Sequence, residues 1–239
     1  MLVMNPASER ALRGAPVAVL DFETTGPDPE EAQPVQVAVV HTALGEDEPK
    51  VVYKALIQPG CPISPGAAAV HGITEAMVAD ATPWVDAVPE LLPYLEGRAL
   101  AAYNLPFDWL ILSRGIAAAG LDPAALPFGA LDPLVWVKVA QRYERGKRLE
   151  QVCERLGVHL DAHDAAGDAL ATAQIMPMLL HTLGRHKECG RDPLLSVGAM
   201  WAWTKNAGQR EERGFAAWRA KQGQAAPRML WAELAGDAV

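Results

Sequence analysis

Residues 17–27 read Val-Ala-Val-Leu-Asp-Phe-Glu-Thr-Thr-Gly-Pro. An apolar run ends at a carboxylate and then at Thr-Thr-Gly-Pro, the pattern of a buried strand stopped by a loop. Asp21 and Glu23 are two apart, so on a strand they project from the same face. Two carboxylates side by side repel each other unless a cation sits between them. The plain alternative is a pair of solvated loop acids; the apolar approach and the tight turn favour the metal.

Outward from that run, residues 35–42 and 51–57 are β-rich and can pair with it as a meander. The Pro/Gly cluster at 59–66 ends this sheet region. Residues 83–96, 106–119, 133–144, 147–156 and 165–183 are helical candidates, and 99–103 and 128–131 read as further strands. Strands first, then strands alternating with helices, predict an α/β fold with a mixed sheet flanked by helices. Gly184, Gly190 and Asp192-Pro193 interrupt the helical pattern. The chain therefore divides into an N-terminal segment (1–15), a main domain (16–184) and an extension (185–239) of two or three short helices.

Of 239 residues, 50% are hydrophobic and 21% charged, enough to bury a core. No apolar run approaches the ~18 residues of a membrane span, and the opening residues lack a signal-peptide pattern. Three scattered cysteines read as reduced thiols. The expectation is a cytoplasmic protein without membrane contact. A net charge of −8 argues against a general polyanion binder. The charge is uneven, however: residues 185–231 hold nine Lys/Arg against four acids, about +5, which leaves the remainder about −13.

Two other segments carry candidate chemistry. Asp108 ends Tyr103-Asn-Leu-Pro-Phe-Asp108, where Pro106 suits a first helical turn and an Asp there can be merely a dipole partner. His163 and Asp168 lie in His-Asp-Ala-Ala-Gly-Asp. Five apart, they cannot share a helix face, so His163 belongs on the loop before the helix that carries Asp168, with Gly167 adapting the junction. Four acids and one histidine thus come from three segments, each beside a strand or helix terminus. Two-metal phosphodiester hydrolysis uses such a set: hard oxygen ligands select Mg²⁺ or Mn²⁺, and a histidine titrating near neutrality takes a proton from water. Arg142–Arg148, with Glu144 and Glu150 interleaved, reads as a solvated helix end.

These motifs resemble the DnaQ-like 3′–5′ exonucleases of the DEDD superfamily, in its histidine subtype. The matches are Asp21-Phe-Glu23-Thr-Thr-Gly26, Asn104-Leu-Pro-Phe107-Asp108 and His163-Asp-Ala-Ala-Gly-Asp168, with His71-Gly-Ile-Thr74 between the first two. Tyr103 departs from the histidine that the family often has there. The resemblance implies an RNase H-like mixed five-stranded sheet, with two divalent ions, Mg²⁺ or Mn²⁺, on Asp21, Glu23, Asp108 and Asp168. It implies that His163 is the general base. It also implies that Thr24 and the backbone after Glu23 touch the terminal nucleotide, that His71 lies near the nucleotide pocket, and that Asn104 and Phe107 support the second motif.

The function expected is metal-dependent removal of nucleotides from a 3′ end of DNA, single-stranded by preference, releasing nucleoside 5′-monophosphates. The same chemistry on RNA, as in RNase T-like or oligoribonuclease-like enzymes, is the first alternative, and a non-catalytic docking subunit with the same fold is the second. The resemblance stops short of residues 190–239. That extension holds four of the seven tryptophans, Trp201, Trp203, Trp218 and Trp231. It reads as packing against the main domain, as a nucleic-acid platform, or as a docking segment for a polymerase or other partner.

Overall fold

A computed structural model of the chain describes residues 10–122, 129–225 and 227–235. In it the apolar run at 17–20 is fully buried in β1 (Pro16–Thr24), an interior strand. Antiparallel to β1 lies β2 (Pro34–Ala43), and antiparallel to that β3 (Lys50–Gln58), which is the expected meander. The two-residue β4 (Thr82–Pro83) runs parallel to the outer edge of β3. On the other side of β1, β5 (Ala99–Ala101) and β6 (Ala130–Leu131) continue the sheet in parallel. The order is β4-β3-β2-β1-β5-β6.

All five expected strands are present, and the sheet has a sixth. Two residues are too short to show a period, and Pro83, without an N–H, suits an edge. Of the expected strand at 128–131, Phe128 lies outside the described residues, as do residues 1–9 of the N-terminal segment and the chain end from 236.

Two short helices follow the meander, α1 (Pro65–His71) and α2 (Glu75–Val78). The Pro/Gly cluster that reads as a sheet terminator also starts a helix. Ser64 accepts the Ala67 N–H, Pro65 opens the first turn, and Gly72 closes α1 at φ 72°. The five longer helices fall where the pattern puts them: α3 (Trp84–Leu91), α4 (Leu105–Ala118), α5 (Pro133–Ala140), α6 (Leu149–Leu156) and α7 (Ala165–Leu183).

The extension differs from two or three short helices. It holds one helix of 25 residues, α8 (Val197–Lys221), and a six-residue α9 (Leu230–Ala235). Val197, Met200, Trp201, Thr204, Ala207 and Gly208 form a buried stripe at helical spacing along the first half of α8. Met200, Trp201, Trp231 and Leu234 share a core with the sheet. The Trp136 indole N–H donates to Thr204 Oγ at 2.8 Å, and Trp231 lies so close over Gly208 that a Cβ there would meet its ring at 2.5 Å. Ala11 bridges Ser196, so the chain's first described residues also meet the extension. Among the described residues no helix is long and apolar enough to cross a membrane.

Candidate active site

β1 is the strand at which the sheet changes direction, antiparallel to β2 and parallel to β5. Loops leaving the carboxyl ends of β1 and β5 separate there, which opens a crevice. Asp21 and Glu23 stand at that end of β1. Past them the β1–β2 register slips between Glu23 and Thr24, a bulge of the kind that re-aims side chains at sheet ends. The Thr24 hydroxyl donates to the Gly26 carbonyl at 2.8 Å and so tightens the turn.

α7 brings the third carboxylate. Its N-terminus packs against β2 through Ala38, Ala165 and Ala166, residues small enough to let helix and sheet approach closely. Gln36, the β2 partner of Glu23, accepts the Ala165 N–H through Oε1 at 2.8 Å. Asp164 caps the helix, and Lys54 of β3 pairs with it at 2.5 Å. Gly167 is required for a close approach rather than for flexibility: a Cβ there would fall 2.1 Å from the Asp161 carbonyl oxygen. As a result Asp21, Glu23 and Asp168 each offer an oxygen within 4.8 Å of the others.

Asp108 comes from the first turn of α4 and is buried. Its helix start is held by Asp132, the buried cap of α5, whose two oxygens accept the Asn104 and Leu105 N–H groups at 3.2 Å each. Burial and the negative charges of Asp108, Asp168 and Glu23 push the Asp21 carboxyl well above the usual range. Burial raises Asp108 in the same way, against hydrogen bonds from its own backbone and that of Phe22 and with Asp132 and Glu23 adding to it. Glu23 is pushed up to about 7, by burial and then by Asp168 and Asp164. Asp168 rises to about 6 through burial, although the His163 backbone and ring oppose it. Four acids raised by burial and by negative neighbours are a poor arrangement by themselves and a good one around positive charge. All the donors are carboxylate oxygens, the set for a hard divalent cation.

His163 lies on the loop before α7, as its spacing requires, in the left-handed conformation at φ 66°. Asn104, just before α4, is at φ 81°, and these are the two non-glycine residues with positive φ among those described. Such conformations cost about 1–3 kcal/mol each and gather at functional sites; here each precedes a helix that carries a site acid. The His163 ring pairs with Glu150 of α6, Nε2 to Oε1 at 2.9 Å. A proton on Nε2 directed at Glu150 leaves Nδ1 as the basic nitrogen.

A cavity of about 800 Å³ joins Asn104, Lys138, Arg148, Glu150, His163 and Asp168. Thr24 and His71 stand together outside it: His71 Nε2 meets the Thr24 carbonyl at 3.2 Å while Nδ1 accepts the Ile73 N–H at 3.0 Å. His71 is thus a strut between β1 and α1. Burial lowers its pKa, the Thr24 hydrogen bond opposes that, and His163 lowers it further. Phe107 is half-buried against the core, one residue before Asp108. Tyr103 donates its hydroxyl to the Lys147 carbonyl at 2.5 Å, which fixes the cavity wall.

Sequence reasoning overlooked Glu150, read as part of a solvated helix end, and also Asp132 and Gln36. Asp132-Pro133 has the cap-then-proline signature of a helix start. Glu150 and Gln36 carry no local signal; only the fold brings them to His163 and α7.

A family model described as "Exonuclease" matches residues 18–176. A DNA polymerase III subunit epsilon-like protein of Rhodobacter capsulatus is 33% identical over 190 residues, 76% of this chain and 27% of that protein. A PolC-type DNA polymerase III of Thermotoga maritima is 32% identical over 178 residues, 73% of this chain and 12% of that protein. The chain therefore spans about a quarter or less of these two relatives. Among solved structures, E. coli exonuclease I in complex with a dT13 oligonucleotide superposes at a TM-score of 0.61, with 21% identity over 72% of this chain and 42% of that one. Exonuclease X in complex with 5′ overhanging duplex DNA gives 0.56, with 24% identity over 79% and 99%.

Proposed function

The chain belongs to the exonuclease family, and from that premise we propose that it removes nucleotides one at a time from the 3′ end of DNA, single-stranded by preference, releasing nucleoside 5′-monophosphates. The observation that carries the reading is the convergence of Asp21, Glu23 and Asp168 at the end of β1, with Asp108 buried beside them. The relatives named as polymerase III proteins, and the neighbours solved with DNA, support DNA over RNA as substrate.

The four carboxylates fit a pair of Mg²⁺ or Mn²⁺ ions: they offer only hard oxygens, and their mutual repulsion is relieved by cations. When bound, such ions supply Lewis acidity and charge neutralisation at the phosphodiester. The chain's own residues do the rest. Asp21, Glu23, Asp108 and Asp168 fix the ligand positions from three rigid elements. His163 accepts the proton of the attacking water, and Glu150 orients its ring. Asn104 and the β1 turn at Thr24 bound the space for the terminal nucleotide, and His71 and Phe107 support those walls.

The test uses 5′-labelled single-stranded DNA, duplex DNA and RNA with Mg²⁺ or Mn²⁺. We expect shortening from the 3′ end of DNA, and a loss of about a thousandfold or more in Asp21→Ala, since Lewis-acid stabilisation is worth several kcal/mol. Full activity in that variant overturns the site; cleavage of RNA alone replaces the substrate.

The polymerase names of the relatives support a finer reading, association with a polymerase, which co-elution of the full chain with a replicative polymerase tests. The free thiols of Cys61, Cys153 and Cys189 suit a reducing compartment and support a cytoplasmic location. Residues 16–184 serve in this reading as the catalytic domain and 185–239 as an extension folded onto it.

A further inference from the structure

The second half of α8 is its exposed half, tied to α9 at Glu212, which accepts the Trp231 N–H at 2.7 Å. From Arg210 to Lys221 no residue is buried, whereas Ala207, Gly208 and Gln209 are. On that exposed stretch Phe215 and Trp218 stack on each other, with centroids 5.8 Å apart and planes within 13°, and both are about half exposed. Arg219 lies over the Phe215 ring at 5.9 Å. Two large aromatics stacked in water are costly to display unless something covers them. The other tryptophans of the extension are accounted for. Trp201 and Trp231 are buried, and Trp203 donates its N–H to the Glu188 carbonyl at 3.0 Å.

The surroundings of this helix point to the occupant. Glu211, Phe215 and Trp218 are spaced i, i+4, i+7 and form one stripe along the helix. The helix that carries the stripe packs on α5, where Thr204 accepts the Trp136 indole N–H at 2.8 Å, and Lys138 of α5 lines the site cavity. Lys147 ties the loop after α5, donating to the Gln141 and Glu144 carbonyls. The same cavity wall presents Lys138 and Arg148 across from Asp168 and His163. Cations on the groove wall, then a stacked aromatic pair with Arg219 alongside, make a track for a chain of phosphates and bases. Residues 185–239 carry nine Lys/Arg against six acids, about +3, on a body of about −11, which adds charge complementarity to a polyanion.

We propose that Phe215 and Trp218 form a nucleobase platform that holds the single strand upstream of its 3′ end, after the strand leaves the groove past Lys138 and Arg148. This rests on the exonuclease reading above. It makes the extension a substrate-length sensor: a strand long enough to reach the platform gains affinity, and one too short does not.

The experiment compares the full chain with the double variant Phe215→Ala/Trp218→Ala on oligothymidylates of three and about 20 nucleotides. Steady-state kinetics are paired with fluorescence-anisotropy binding of the longer strand without metal. Both positions are exposed, so unchanged thermal melting is the control for folding. The expected result is a KM and a Kd for the long strand raised about fivefold or more, with turnover of the trinucleotide unchanged. That factor is the weak end of one base–aromatic stack. Equal binding of the long strand by wild type and variant overturns the platform, as does a variant that binds DNA normally but loses a protein partner. Should wild type cleave neither strand, the exonuclease reading fails, and anisotropy still decides the platform.

Discussion

At the scale of single residues, the geometry of the candidate site depends on groups outside its acid cluster. Glu150 fixes the His163 ring through a 2.9 Å contact between two side chains that are each nearly half exposed. Partners that orient a reacting or ligating group are typically worth 10- to 100-fold. Glu150→Gln should therefore lower kcat by about tenfold or more with little change in KM. An unchanged kcat would reduce the contact to a surface ion pair, worth little by itself. Asp21, Glu23, Asp108, His163 and Asp168 were all nameable as candidates from sequence, because each sits in a short motif at the end of a periodic segment. Glu150 was not, because its role depends on α6 crossing in front of the loop at His163, a contact between segments with no shared local pattern.

At the scale of elements, close approach sets the geometry. Ala38, Ala165 and Ala166 bring α7 against β2, and Gly167 lets the first turn rest on the Asp161 carbonyl. Gly167→Ala must push that turn away or distort it. Such overpacking costs about 1–3 kcal/mol, or roughly 2–10 °C in melting temperature for a chain of this size. It should also reduce activity more than stability, because Asp168 moves with the turn. Circular-dichroism melting and strand-shortening assays on the same preparation measure both; a variant that melts lower but cuts normally would show the site to be tolerant of the shift. The elements themselves were largely legible. Strands and the longer helices carry periods of two and 3.6 residues. The two-residue β4 and four-residue α2 are too short for any period, and the full length of α8 is not legible because its buried stripe stops at Gln209.

At the scale of the whole molecule, charge and packing link stability to function. Glu23 and Asp168 have pKa values raised to about 7 and about 6 from ordinary values of 4.5 and 3.8. Folding thus favours their protonated forms. Their contribution is fully present below about pH 4 and is lost as the pH rises through about 6 to 7. The metal-free protein should melt at lower temperature near pH 8 than near pH 5, and Mg²⁺ or Mn²⁺ should raise the melting temperature more at the higher pH. Calorimetry that finds the metal effect independent of pH would disconnect these acids from metal binding. The extension shares the hydrophobic core of the sheet through Trp201 and Trp231. Losing Trp201 and Trp231 from the core costs about 6–10 kcal/mol on the usual scale for tryptophan, most of a typical domain's 5–15. Ending the chain near residue 190 should yield an aggregating or molten product; a sharply melting, active fragment would show the extension to be separable. The bridge from Ala11 to Ser196 has a further consequence, for biosynthesis. Residues through Ser196 and Thr204 must leave the ribosome before Ala11 finds its partner and before Thr204 reaches the Trp136 indole. Loop-closure entropy must be paid before contacts so distant in sequence reward it, so the core shared by Trp136 and the extension can be completed only after the extension is made.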